Sequence, residues 1–150
     1  MGVLSDLILA LPIRRLPTLV RRAKAAGFSV PSASVEQAKV MGALRLVWRG
    51  FHVDMILTST AFERSAFSRK LTVQISGRSV HVPSPEDMIV LKLVPGRPKD
   101  LLDIQGILVR HRGRLDRAYL KRWAQRLSDE AEDSRIWETL QRLLREAVLD

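Results

Sequence analysis

The stretch Ser84–Asp100, SPEDMIVLKLVPGRPKD, decides how the chain is read. Ser84 is a good N-cap, Pro85 suits the first helical position, and Asp87, three residues after the cap, can reach back to it. A helix is expected from there to Pro95-Gly96, where the backbone cannot continue it. Met88, Ile89, Val90, Leu91, Leu93 and Val94 leave this helix no obvious water-facing side, yet Lys92 sits among them. An ammonium in apolar surroundings must be matched by an anion or carried to the surface on its own stem. Arg97 and Lys99 flank Pro98 at the start of a second helix, where free N–H groups already favour an anion. Either acids of the chain neutralise these cations, or a phosphate-bearing ligand does.

Downstream the pattern is helical. A helix from Pro98 to about His111 would bury Leu101, Ile104 and Leu108; Asp116 would cap another with Leu120, Trp123 and Leu127 inward. The last carries the stripe Ile136, Leu140, Leu143, Leu144, Ala147. Upstream, residues 3–11 read as a buried strand carrying Asp6. A helix to about Ala26 follows, with Pro17 in its first turn and Gly27 as its stop, and residues 34–41 suggest a short helix. ALRLVWRG and FHVDMILTS read as strands joined at Gly50, residues 60–68 as a helix, and KLTVQISGRSVHVP as a hairpin turning at Ser76-Gly77. The expectation is an α+β chain: a small mixed sheet with helices packed on it and a helical C-terminal half. One domain would span 1–150, sheet-rich over 1–83 and helical over 84–150.

The chain has no cysteine, which excludes disulfides, thiolate metal sites and a cysteine nucleophile, and suits a cytoplasmic setting. The N-terminal apolar run LILALPI follows an acid and precedes arginines, the wrong charge order for a signal peptide, and it is too short to span a membrane. Residues 1–128 hold 22 Lys and Arg against 9 Asp and Glu, whereas residues 129–150 hold 3 against 7. A basic body with an acidic tail points to an anionic partner, nucleic acid or nucleotide, or to a solvated arginine-rich surface. RHRGRLDRAYLKRW, from Arg110 to Trp123, is the densest basic run, although Trp123 fits the core stripe of its helix. His52, His81 and His111 have no metal-ligand spacing, and no glycine-rich phosphate loop, GxSxG or HExxH motif is present.

Two acids stand out because each sits in an apolar strand: Asp6 in LSDLIL and Asp54 in HVDMIL. Strand carboxylates that converge can hold Mg²⁺, which prefers carboxylate and phosphate oxygens. Each could equally be paired with one of the many arginines.

Three segments, HVDMILTSTAFERSAF, VHVPSPEDMIVLKLVPGRPKDLLDIQGIL and LDRAYLKRWAQRL, resemble the minimal nucleotidyltransferases of the polymerase-beta superfamily. The likeness is to the group related to the AbiEii-like toxins of abortive-infection systems, and it runs from about Val3 to about Leu127. It implies a nucleotidyltransferase-like fold and Mg²⁺-dependent transfer of a nucleotide from an NTP to a hydroxyl on RNA, protein or a small molecule. Asp54 matches the third metal-binding acid of that family and Asp6 the second of its paired acids. Lys92 matches the helix lysine, and Arg97, Lys99 and Asp100 the later motif that holds the nucleotide. The implied partners are a nucleotide, tRNA or another nucleic acid, and a cognate antitoxin protein in a toxin–antitoxin or phage-defence setting, with no membrane. Leu4 stands where the first acid of the pair belongs, and leucine cannot bind a metal. The family's glycine-serine element would precede Met1. The expectation is thus an N-terminally truncated member, and the alternative is a catalytically inactive remnant that binds nucleic acid or protein.

Overall fold

A computed structural model describes residues 5–9, 11–57 and 60–149, with the side chains of residues 5, 6, 8, 148 and 149 outside the description; Leu4 is also outside it. The described elements are β1 (Ser5–Leu9), a 3-10 turn at Ile13–Arg15, α1 (Leu16–Ala25), α2 (Ser32–Met41), β2 (Ala43–Trp48), β3 (Phe51–Leu57) and α3 (Ala61–Ser68). Then come β4 (Leu71–Ile75), β5 (Arg78–Val82), α4 (Pro85–Leu93), α5 (Pro98–Arg110), α6 (Arg117–Ala131) and α7 (Ser134–Leu149). The chain is α+β, as its patterning implies. It divides into two compact units, the first ending at Ser68 and the second beginning at Arg69, so the β4–β5 hairpin falls with the helices.

In the first unit the two-residue turn Arg49-Gly50, both at positive φ (50° and 83°), folds β2 back on β3 in antiparallel register. β1 adds to the other side of β3 in parallel, giving a mixed three-stranded sheet of order β1-β3-β2. Leu44 and Leu46 of β2 are fully buried, and with Leu57 they pack on Leu16 and Ala23 of α1 and Ala38 of α2. Trp48, at the end of the alternation, is half exposed and lies against Phe28, with the Arg49 guanidinium over its ring. The outer edge of β2 is closed locally. Val47 exchanges two backbone hydrogen bonds with Ser29, and the Ser34 hydroxyl both accepts from the Arg45 N–H (2.7 Å) and donates to the Arg45 carbonyl (2.9 Å). Such covering removes an unpaired strand edge that could otherwise template aggregation.

The second unit begins with the hairpin. Ser76 and Gly77, both at positive φ, turn β4 onto β5, and the register sets Leu71 opposite Val82 and Val73 opposite Val80. α4 packs on α5 and α6, and α6 packs on α7. Ile89 and Val90 of α4, Ile104 of α5, Leu120 and Ala124 of α6, and Leu140 of α7 have no exposure. On α5, α6 and α7 the burial of Ile104 and Leu108, Leu120 and Trp123, and Ile136, Leu140, Leu143 and Leu144 follows the stripes that the helical periodicity marks, while Leu101, Leu127 and Ala147 are only half-buried.

The start of α4 ties this unit together. Ser84 caps the helix by accepting the Asp87 N–H at 3.1 Å, and its hydroxyl donates to Asp87 Oδ2 at 2.6 Å. Asp87 is fully buried; its Oδ1 accepts a short hydrogen bond from the Tyr119 hydroxyl of α6. Arg69 lies 4.0 Å over the Tyr119 ring, with Nε 3.4 Å from Asp87 Oδ2 and Nη2 3.5 Å from Glu86 Oε2. The other Glu86 oxygen accepts the Asp116 N–H at 2.9 Å, at the N-cap of α6. Removing one partner from a buried polar group costs about 1–3 kcal/mol. Tyr119→Phe should therefore lower unfolding stability by about that amount, and Asp87→Ala by more, because it strands the Tyr119 hydroxyl and weakens the Ser84 cap. Urea titration of the three proteins measures both, and a Tyr119→Phe protein as stable as the parent would contradict this role.

Candidate functional site

The register of the first sheet brings the two strand acids together on the backbone. Asp6 in β1 pairs with Asp54 in β3, and Asp54 pairs with Arg45 in β2. The three positions form one row across the sheet, at a strand spacing of about 4.8 Å. The side chain of Asp6 lies outside the described residues. That of Asp54 is held on its other side: Arg45 Nε donates to Oδ1 and Nη2 to Oδ2, each at 2.7 Å. This is a bidentate fork, the strongest common form of a carboxylate pair. The Arg45 hydrogen bonds hold the Asp54 carboxyl below its ordinary pKa of 3.8; burial opposes them, and the charges of Arg45 and His52 add to them.

In the second unit the acids around Lys92 are its own chain's. Lys92 Nζ lies 2.6 Å from Asp103 Oδ2 and 3.7 Å from Asp100 Oδ1. Asp100, at the third position of α5 and almost fully buried, reaches back to the Arg97 N–H at 3.2 Å and takes the Arg97 guanidinium at 2.6 and 3.3 Å. Hydrogen bonding from the Arg97 side chain holds Asp100 below the usual carboxylate range, against burial, with Lys92 contributing last. Lys99 is exposed and forms no ion pair among the described residues. Of the two readings open for Lys92, neutralisation by internal acids is the one this geometry carries. The helix break at Pro95-Gly96 folds α5 back so that a residue eleven positions on becomes its nearest anion.

The carboxylates of Glu86 and Asp87, with Arg69 and Tyr119, form a buried cluster that the sequence marks only as a helix start. Ser-Pro-Glu-Asp before an apolar run is legible as a cap. The distant partners, Tyr119 thirty-two residues on and Arg69 eighteen back, carry no local signal. Arg45 could have been found, because a two-residue turn at Arg49-Gly50 sets residue 45 opposite 54 by counting. No protein-family model matches the chain, and a comparison with curated proteins found no match.

The depressed Asp54 pKa fixes the sign of a pH effect. A carboxyl group that ionises more readily folded than unfolded adds stability that is complete above its unfolded pKa and fades as pH falls through the folded one. Arg45→Gln should cost about 0.5–1 kcal/mol near neutral pH, since the arginine is half exposed. The difference from the parent should close as pH drops below the ordinary value of 3.8. Denaturant midpoints of both proteins across pH measure it, and a gap that is constant with pH would show that the pair is not its source.

Proposed function

We propose that the chain is a nucleotidyltransferase-family protein that takes up a divalent cation at the Asp6–Asp54 row and binds an NTP. The supporting observation is the parallel register that sets Asp6 opposite Asp54 on neighbouring strands. Aspartates at adjacent register positions are the residue type whose hard oxygen donors Mg²⁺ prefers, so the donor chemistry suits the ion. A cation arriving there must compete with the Arg45 fork, which occupies both Asp54 oxygens. When bound, such an ion supplies positive charge that polarises phosphoryl oxygens and orients an attacking hydroxyl. By the resemblance, Lys92, Arg97 and Lys99 of the second unit are assigned to phosphate binding, where Lys92 and Arg97 would have to exchange the acids that now engage them. Asp100 positions Arg97 by the bonds described above. The acceptor hydroxyl, on RNA, protein or a small molecule, and a toxin–antitoxin or phage-defence setting belong to the same proposal.

A second reading, binding of nucleic acid or a protein partner without turnover, is favoured by a specific observation. Asp54, Lys92 and Arg97 are each already engaged by an opposite charge of the chain. Calorimetry separates the two. MgATP is expected to bind the parent protein, to bind Arg45→Ala more tightly because the fork is gone, and to bind Asp54→Asn at least ten-fold more weakly. Labelled NTPs with Mg²⁺ and tRNA test transfer itself. No nucleotide binding and no transfer by any of the three proteins would overturn the enzyme reading and leave the second.

A further inference from the structure

Between Asp103 and Asp129 the only acid is Asp116. In that interval Arg110, Arg112, Arg114, Arg117, Lys121 and Arg122 are all exposed, and none forms an ion pair among the described residues. Arg126, the remaining cation of the interval, pairs with Glu130, and other cations of the unit are likewise engaged by acids: Arg69 with Glu86 and Asp87, Lys92 with Asp103, Arg142 with Glu146. The lone acid of the basic interval is spent on the fold. Asp116 Oδ1 accepts the Tyr119 N–H at 2.9 Å, capping α6.

Three of the guanidinium groups are positioned by contacts that leave their charge intact. Arg112 donates to the Ala147 carbonyl at 3.1 Å, Arg114 donates to the Arg110 carbonyl at 3.4 Å, and Arg122 lies 5.4 Å from the centre of the Tyr119 ring. Gly113, at φ 75°, closes the turn between α5 and α6, and the Arg114 N–H bonds to the His111 carbonyl at 3.0 Å. Arg117, in the first turn of α6, even opposes the helix dipole. So many like charges held close together repel one another unless anions collect over them.

We infer that the α5–α6 turn and the first turns of α6 form a docking face for the phosphate backbone of a nucleic-acid duplex. Five of its six cations are arginines, whose planar forks suit phosphate oxygens. The face runs along a turn and a helix start, too extended for one small phosphate. It lacks what the other polyanions would need. Tyr119 and Trp123 are buried, so neither ring is presented as a platform for unpaired bases. The apolar side of α6, through Leu120, Trp123 and Ala124, is spent on the core, leaving no face of that helix to enter a lipid surface. Contacts of this kind position the partner and read no sequence. No residue of the face is among those proposed for the cation or the nucleotide, so binding is independent of Mg²⁺ and NTP.

Fluorescence anisotropy with a labelled DNA duplex of mixed sequence, across a salt series, tests this. With up to six phosphates neutralised, log affinity should fall against log salt with a slope of about −3 to −5. Arg114→Ala/Arg117→Ala/Lys121→Ala should flatten the slope by about 2–3 and weaken binding at low salt at least ~10-fold. Arg21→Ala/Arg22→Ala/Lys24→Ala, the same charge change made on α1, should leave both nearly unchanged. Arg114→Lys/Arg117→Lys keeps the charge and should keep the slope; with single Lys121→Ala, expected to flatten it by about 1, it provides the reading even if the triple variant fails to fold. Equal losses from the α1 variant, no loss from the turn variants, or affinity for single strands, polyglutamate or phosphatidylserine vesicles matching that for duplex would each overturn the inference.

Discussion

The second unit depends on one buried carboxyl group. Asp87 sits at the third position of α4 with no exposure, and every partner it has comes from somewhere else in the chain: Ser84 from the cap, Tyr119 from α6, Arg69 from the segment before β4. A polar group so deeply buried is tolerable only when its hydrogen bonds are made, and so its position constrains all three segments at once. Glu86 extends the constraint by accepting the N–H at the α6 N-cap. The hairpin, α4 and α6 are thereby held by directional bonds, and the apolar stripes of α5 and α7 fill in around them.

The same economy governs the charges. Acids are used as partners for chosen cations: the buried Asp100 for Arg97, Asp103 of α5 for Lys92, Asp54 of β3 for Arg45. Among the described residues, much of what is left over is basic and faces water, notably on α1 and around the α5–α6 turn. The net charge of +9 is therefore not spread evenly. It is concentrated where acids are scarce, and that is where a long-range field toward polyanions would originate.

Much of the fold was legible because its signals are local. Ser84 and Pro85 announce α4, Asp116 announces α6, Gly27 stops α1, and Arg49-Gly50 and Ser76-Gly77 make their turns. The candidate site was legible in part. The strand acids were visible as residues out of place in apolar runs, but their juxtaposition needs a parallel register between strands separated by two helices and a third strand, which no local pattern encodes. Lys92 was visible as an ill-placed lysine. Its partner Asp103 was not, because the helical spacing that relates residues within α4 stops at Gly96 and the pair forms only after the chain has doubled back. Arg69 and Tyr119 escaped for the same reason.

The central claim is that the row Arg45–Asp54–Asp6 exchanges an internal cation for a divalent one. Titration of the isotopically labelled protein with Mn²⁺, followed by the paramagnetic loss of backbone amide signals, reads this residue by residue. The account predicts that the amides of Asp6, Leu7, Asp54 and Met55 vanish first, at lower Mn²⁺ in Arg45→Ala than in the parent, with Mg²⁺ restoring them. Loss centred instead on the acidic segment Asp129–Asp133, or loss spread evenly over the surface, would contradict it.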